Sequence, residues 1–299
     1  MEHTTPPVPV PQTLFHDLVL RVCQGLYSAA EAARYGASIA DWDVSEVEDM
    51  SCAFMNRSRF NADLSRWNTG RVRDMSHMFS GARNFTGTGL EGWDTGRVTN
   101  MSGMFADTDR FRADLSRWNV SQVTDMSGMF HGADVFVADI SPWDVSQVRN
   151  MRRMFQDAIH FNAPLDRWNV SRVEDMSNMF DGAFRFNGRL ARWDVSRVRN
   201  MCEMFHIAWC FNQPIAGWDV SRVTDMSSMF VRNQAFYQSL DDWDTRSVRT
   251  MVNLFLRYTP DRPAWRVSPQ TDFKDLLGRS NFRPKEVRPP RAGPRRHIR

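Results

Sequence analysis

The side chains best suited to chemistry in this 299-residue chain are its seven histidines and two long files of Asp and Asn. An imidazole moves a proton only with a partner in hydrogen-bond reach. His131 and His206 occupy the same place in a repeated pattern but stand three repeats apart, roughly 15 Å if successive repeats stack ~4.8 Å apart, too far to share a metal or a proton. His16, His77 and His160 fall at other places in the pattern. The chain shows no Gly-rich phosphate loop, no Ser-His-Asp set and no acid beside a matching base. The reading is therefore of a protein that is not an enzyme, with no catalytic residue and no cofactor.

The first Asx file follows each repeated Trp: Asp43, Asn68, Asp94, Asn119, Asp144, Asn169, Asp194, Asp219 and Asp244. The second precedes each repeated Met: Asp49, Asp74, Asn100, Asp125, Asn150, Asp175, Asn200, Asp225 and Thr250. The two alternate Asp and Asn nearly in antiphase. Carboxylates stacked ~4.8 Å apart repel, and alternation with neutral Asn halves the charge while keeping an acceptor at every level. Both files read as turn and cap ladders. Calcium is the alternative, since ranks of Asp and Asn supply oxygen ligands, but its repeat signatures place Gly-rich loops around each Asp and none occurs here.

Two further files are rich in arginine. Glu46, Arg71, Arg97, Gln122, Gln147, Arg172, Arg197, Arg222 and Ser247 stand just before a repeated Val, and Arg66, Arg117, Arg167 and Arg192 just before a Trp. Neighbours of buried residues face water, so these positions form stripes along the repeat. A solvated charged face is the plain reading. A ligand, if one is bound, is expected on Arg71, Arg97, Arg172, Arg197 and Arg222, and should be an acidic protein surface or a nucleic-acid backbone.

The elements that position these files repeat. Trp42, Trp67, Trp93, Trp118, Trp143, Trp168, Trp193, Trp218 and Trp243 are 25 residues apart except for one step of 26, where TGTGLEG between Phe85 and Trp93 holds the extra residue. Each unit adds a Val, a Met-x-x-Met-Phe, a Phe, and a Leu or Ile. Such a period implies stacked units sharing one continuous core, which suits a chain this long. In the unit Trp118–Phe136, Trp118 and Val120 predict a short parallel strand, and Val123 belongs to a second. Met126, Met129, Phe130 and Ala133, at i, i+3, i+4 and i+7, predict a helix of about two turns capped by Asp125. The fold class expected is an α/β repeat solenoid of about nine units with a helical N-terminal cap.

The segments follow: 1–12 a disordered Pro-rich lead-in; 13–41 a helical cap carried by Leu14, Leu18, Val22 and Leu26 with Phe15, Val19 and Cys23; 42–258 the solenoid; 259–278 a C-terminal cap; 279–299 a disordered basic tail. Eight basic residues and one acid give that tail +7, which leaves −4 on residues 1–278 of a chain with formal charge +3. Of the 38 basic residues, 36 are Arg, which a GC-rich genome explains more simply than a binding role. Cys23, Cys52, Cys202 and Cys210 have neither disulfide-framework nor zinc spacing. With no export signal, lipobox or apolar span, the expected location is cytoplasmic or otherwise intracellular, with no membrane association.

WDVSQVRNMRRMFQDAIHFNAPLDRW, with Trp-Asp-Val-Ser, Val-x-x-Met, Met-Phe and Phe-Asn recurring together over residues 42 to about 255, closely resembles the BspA-like branch of leucine-rich repeats, specifically the repeat first noted in mycoplasma surface proteins as a domain of unknown function. That resemblance implies a right-handed parallel solenoid that binds proteins or surfaces without catalysis. The expectation is a monomeric scaffold for an unidentified protein partner. VPQTLFHDLV loosely resembles the opening of an F-box, so an adaptor of a ubiquitin ligase, with residues 10–34 as a degenerate F-box, is an alternative. A surface adhesin and a nucleic-acid binder using the basic tail and the Arg stripe are the others.

Overall fold

A computed structural model describes residues 7–255. The expected C-terminal cap (259–278) and basic tail (279–299) lie outside the described residues. At the N-terminal end, α1 (Gln12–Gln24) and α2 (Ala29–Tyr35) precede a 3₁₀ turn, Ile39–Asp41. Gly25, at φ 73°, ends α1 by donating to the carbonyls of Arg21 and Val22. Ser28 and Glu31 form a reciprocal capping box at the start of α2, and the Ser28 bonds hold the Glu31 carboxyl below its usual range. Arg21 reaches Glu31 at 2.9 Å and ties the two helices. Phe15, Leu18 and Val19 are buried, whereas Leu14 and Leu26 of the expected four-residue stripe are exposed.

From Trp42 onward each 25-residue unit makes one coil, and the α/β class predicted for these coils is overturned. Among the described residues the coils contain neither an α-helix nor a strand ladder; successive coils share a single parallel bridge each, from Asp49↔Asp74 to Asp225↔Thr250. The Met-x-x-Met-Phe segment is a run of tight turns. In the coil of Met126, the Met129 N–H donates to the Met126 carbonyl, His131 to Gly128, Ala133 to Phe130 and Phe136 to Ala133. The same i to i+3 closure joins Trp118 to Leu115 and Val123 to Val120, in place of the expected strands.

A chain of three-residue turns repeats its inward positions at the spacing that a helix face has, which is why the pattern misled. The helix is blocked two residues after each Met, where Cys52, His77, Arg153, Asn178, Glu203, Ser228 and Asn253 all have φ of 54–59°. Gly103 and Gly128 take the same place at 60° and 61°. Left-handed backbone there closes a type II turn and aims alternate N–H groups out of the coil. Those of Met75, His77, Phe79 and Gly81 donate to the carbonyls of Asn100, Ser102, Met104 and Ala106 in the next coil. Backbone bonds between coils thus survive along a backbone too kinked to be a strand, and others, such as Arg73 N–H to the Glu48 carbonyl and Thr99 N–H to that of Arg73, run to the coil before.

The core is a set of stacked files. Phe54, Phe79, Phe105, Phe130, Phe155, Phe180, Phe205, Phe230 and Phe255 form one column with centroids 5.2–5.8 Å apart. Each Trp indole N–H from Trp67 to Trp243 donates to a Leu or Ile carbonyl of the preceding unit, as Trp143 does to Leu115 at 2.9 Å. A buried Trp needs such a partner, and here it also pins one coil to the next. Thr69 and Thr95 replace Val inside the coil because their hydroxyls reach the carbonyls of Asp94 and Asn119 in the next one. The extra residue of TGTGLEG is absorbed by Gly87 and Gly89 at φ 86° and 90°, and a side chain at Gly89 would meet the Ser65 backbone nitrogen at 2.3 Å.

Both Asx files cap turns rather than helices. The Oδ1 atom of every member from Asp43 to Asp244 in the first file, and from Asp49 to Asp225 in the second, accepts the backbone N–H two residues on. Asn100 and Asn150 also donate to Asp74 and Asp125 at 3.1 Å, so alternation turns two carboxylate contacts into hydrogen bonds.

Candidate functional site

The pre-Val file is fixed by the turn it precedes: Val72 is fully buried and its N–H closes on Thr69, which leaves Arg71 outside. Arg71, Arg97, Arg172, Arg197 and Arg222 are all exposed. The stack brings them together as two groups, Arg71 with Arg97 and Arg172 with Arg197 and Arg222, separated by Gln122 and Gln147. Arg172 donates to the Gln147 amide oxygen, and among the described residues none of the five guanidinium groups meets a carboxylate. Of the arginines before Trp, Arg66 is neutralised by Asp41 at 2.9 Å.

On the other side of the same buried Val, the file Glu48, Arg73, Thr99, Thr124, Arg149, Glu174, Arg199, Thr224 and Arg249 has a different character. Arg73 meets Glu48 and Arg149 meets Glu174, each at 3.5 Å between adjacent coils. Thr99, Thr124 and Thr224 return their hydroxyls to carbonyls of the coil before. In the last described coils Arg199 and Arg249 of this file, Arg222 of the other and Arg246 line one shallow hollow. Arg246 is held by Asp244, whose carboxyl lies below its usual range because of that bond. This arrangement gathers positive charge on one face.

Of the histidines singled out in the sequence, His131 Nδ1 meets the Gln156 carbonyl at 3.3 Å and His160 Nδ1 the Asp134 carbonyl at 2.8 Å. What the sequence reading missed is that His206 has company, with Asp181 and Glu203 beside it. The register held that signal, because Asp181 stands 25 residues before His206 in one file. The four cysteines are free thiols in the structure. No helix among the described residues is long and apolar enough to cross a membrane.

Stacked coils closed by tight turns and faced with polar files define a repeat protein. The chain belongs to the family described as Mycoplasma protein of unknown function, DUF285, whose model matches residues 23–89, 86–190 and 161–262. No curated protein and no solved structure matches it.

Proposed function

We propose that this chain is a non-enzymatic binding scaffold whose Arg face receives an acidic protein partner. The observation that carries the reading is the contrast between two files flanking one buried Val. In one, Arg73 and Arg149 each pair with a Glu of an adjacent coil; in the other, Arg172, Arg197 and Arg222 stand on three consecutive coils with, among the described residues, no carboxylate within ion-pair distance. Like charges at coil spacing repel one another, and an anionic partner relieves that cost while gaining guanidinium hydrogen bonds. The resemblance to BspA-like leucine-rich repeats, whose members bind proteins or surfaces, supports a binding role, and an intracellular location belongs to the same proposal. Exposed arginines separated along a flat face fit carboxylates spaced along a protein surface.

The full chain should bind poly-glutamate with an affinity that falls steeply between low and high salt. Replacing Arg172, Arg197 and Arg222 with Ser should weaken that binding at least tenfold without lowering the melting midpoint. Unchanged binding by the triple variant overturns the assignment of the face. Tighter binding to duplex DNA than to poly-glutamate, lost in the same variant, replaces the acidic protein with a nucleic acid.

A further inference from the structure

We propose that Asp181, Glu203 and His206 form a binding site for a divalent transition-metal ion. Their potential ligand atoms all lie within 4.8 Å of one another. Glu203 and His206 belong to one tight turn, in which the His206 N–H donates to the Glu203 carbonyl at 3.1 Å. Left-handed backbone at Glu203, φ 56°, sets the direction of that turn. Asp181 enters from the preceding coil and touches His206 Nδ1 at 2.6 Å through Oδ1. An ion of zinc type takes nitrogen and carboxylate oxygen at ~2.0–2.2 Å, so side-chain rotations of roughly an ångström or less close the three atoms around it.

The carboxylates are already oriented. Gln156 donates to Asp181 Oδ2 at 2.7 Å, and Asn178 donates to Glu203 Oε2 at 2.5 Å and to Asp181 Oδ2 at 3.4 Å. These amides occupy one oxygen of each acid and leave the other for an ion, the way ligands of built metal sites are held. Asp181 is only 8% exposed, and among the described residues neither it nor Glu203 is paired with an arginine or lysine. The ion-pair partner of Asp181 is His206, a cation only when its ring is protonated, and a bound dication supplies the positive charge with the imidazole neutral. Elsewhere the same files carry no such set: in the coil of His131 the place of Glu203 is held by Gly128, and the place of Asp181 one coil earlier by Ala106.

An imidazole ligand favours zinc, cobalt or nickel over calcium and magnesium, which take oxygen alone. The neighbouring Cys202 thiol does not belong to the group of donor atoms gathered within 4.8 Å and is not counted as a ligand.

Zinc chloride titrated calorimetrically into the full chain should bind with one-to-one stoichiometry and raise the melting midpoint, and calcium chloride should do neither. Asp181→Asn, which keeps the shape of the side chain, and His206→Gln should each weaken zinc at least tenfold. Cys202→Ser should leave it unchanged. Cobalt bound to the wild type should lack the intense near-ultraviolet thiolate band, a readout that needs no variant to fold. Absence of binding, equal binding by Asp181→Asn, or loss of binding in Cys202→Ser with a thiolate band in the cobalt spectrum each overturns the proposal.

Discussion

The inward and outward files of one coil are separated by a single residue and obey opposite rules. Inside, the file that includes Met129 is Met in seven of nine coils, with Ala53 and Leu254 at the two ends, and the Phe file is unbroken from Phe54 to Phe255. At the rim, the file beginning at Met55 runs Ser80, Ala106, His131, Gln156, Asp181, His206 and Val231 with no shared chemistry, from exposed Met55 to buried Ala106, Asp181 and Val231. An inward side chain must fill the same space at every level, because the stacked rings above and below leave no slack. An outward one is limited only by its immediate neighbours. Cohesion therefore resides in sameness and recognition in departure from it.

Substitutions can break this division. Trp143→Ala should have the largest effect, about 3–5 kcal/mol in denaturant melts, because it opens a cavity and leaves the Leu115 carbonyl without its indole donor. Equal stability in mutant and wild type would mean that the Trp file carries no cohesion. Changing Asn100 and Asn150 to Asp should cost on the order of 1 kcal/mol per site at neutral pH, since a donor becomes a like charge facing Asp74 or Asp125. Acid should restore the loss; a deficit that persists at low pH would assign it to packing.

A backbone effect comes next. Arg153 is exposed with φ 58°, in the file where two coils use glycine, so Arg153→Gly should stabilise the fold by about 1 kcal/mol. A loss would show that the Arg153 side chain makes up for its backbone strain. The smallest effect should come from Asp157→Asn. Burial raises this carboxyl in the folded state, so the folded chain holds its proton more tightly than the unfolded one, and stability falls as pH rises through the raised value. Asn should raise the melting midpoint slightly at neutral pH, and that gain should vanish below the ordinary carboxylate range; a gain independent of pH would rule out charge as its cause.

The period and the inside-outside assignment were legible because a stacked core repeats its residue types with few exceptions, and Trp, Val, Met and Phe are the types that bury. The path of the chain between them was not. Met126, Met129, Phe130 and Ala133 share one side of a helix and equally one side of a run of type II turns, and apolar spacing alone does not separate the two. The distinguishing mark lay in the polar residues between them: Gly103, Gly128 and Asn178 two places after Met, and Asn56, Gly81, Asp107, Gly132, Asp157 and Gly182 six places after it, are the types that tolerate positive φ. The Arg stripe was readable by position, whereas Asp181, Glu203 and His206 become neighbours only when two files are read across coils.

The first coil has no predecessor, yet its backbone is not left bare. Gln12 of α1 accepts the N–H groups of Glu48 and Asp49 at 2.8 Å and donates to the Asp49 carbonyl at 2.9 Å, and His16 Nε2 meets the Ser51 carbonyl at 2.8 Å. Two side chains thus imitate the coil that is missing. An uncovered end would be a sticky template, able to dock the last coil of a second molecule and propagate head to tail, the hazard that exposed strand edges pose in sheets. By occupying those docking groups with amide and imidazole, α1 takes them out of reach of a second molecule, and gives the stack a defined beginning from which its coils are counted.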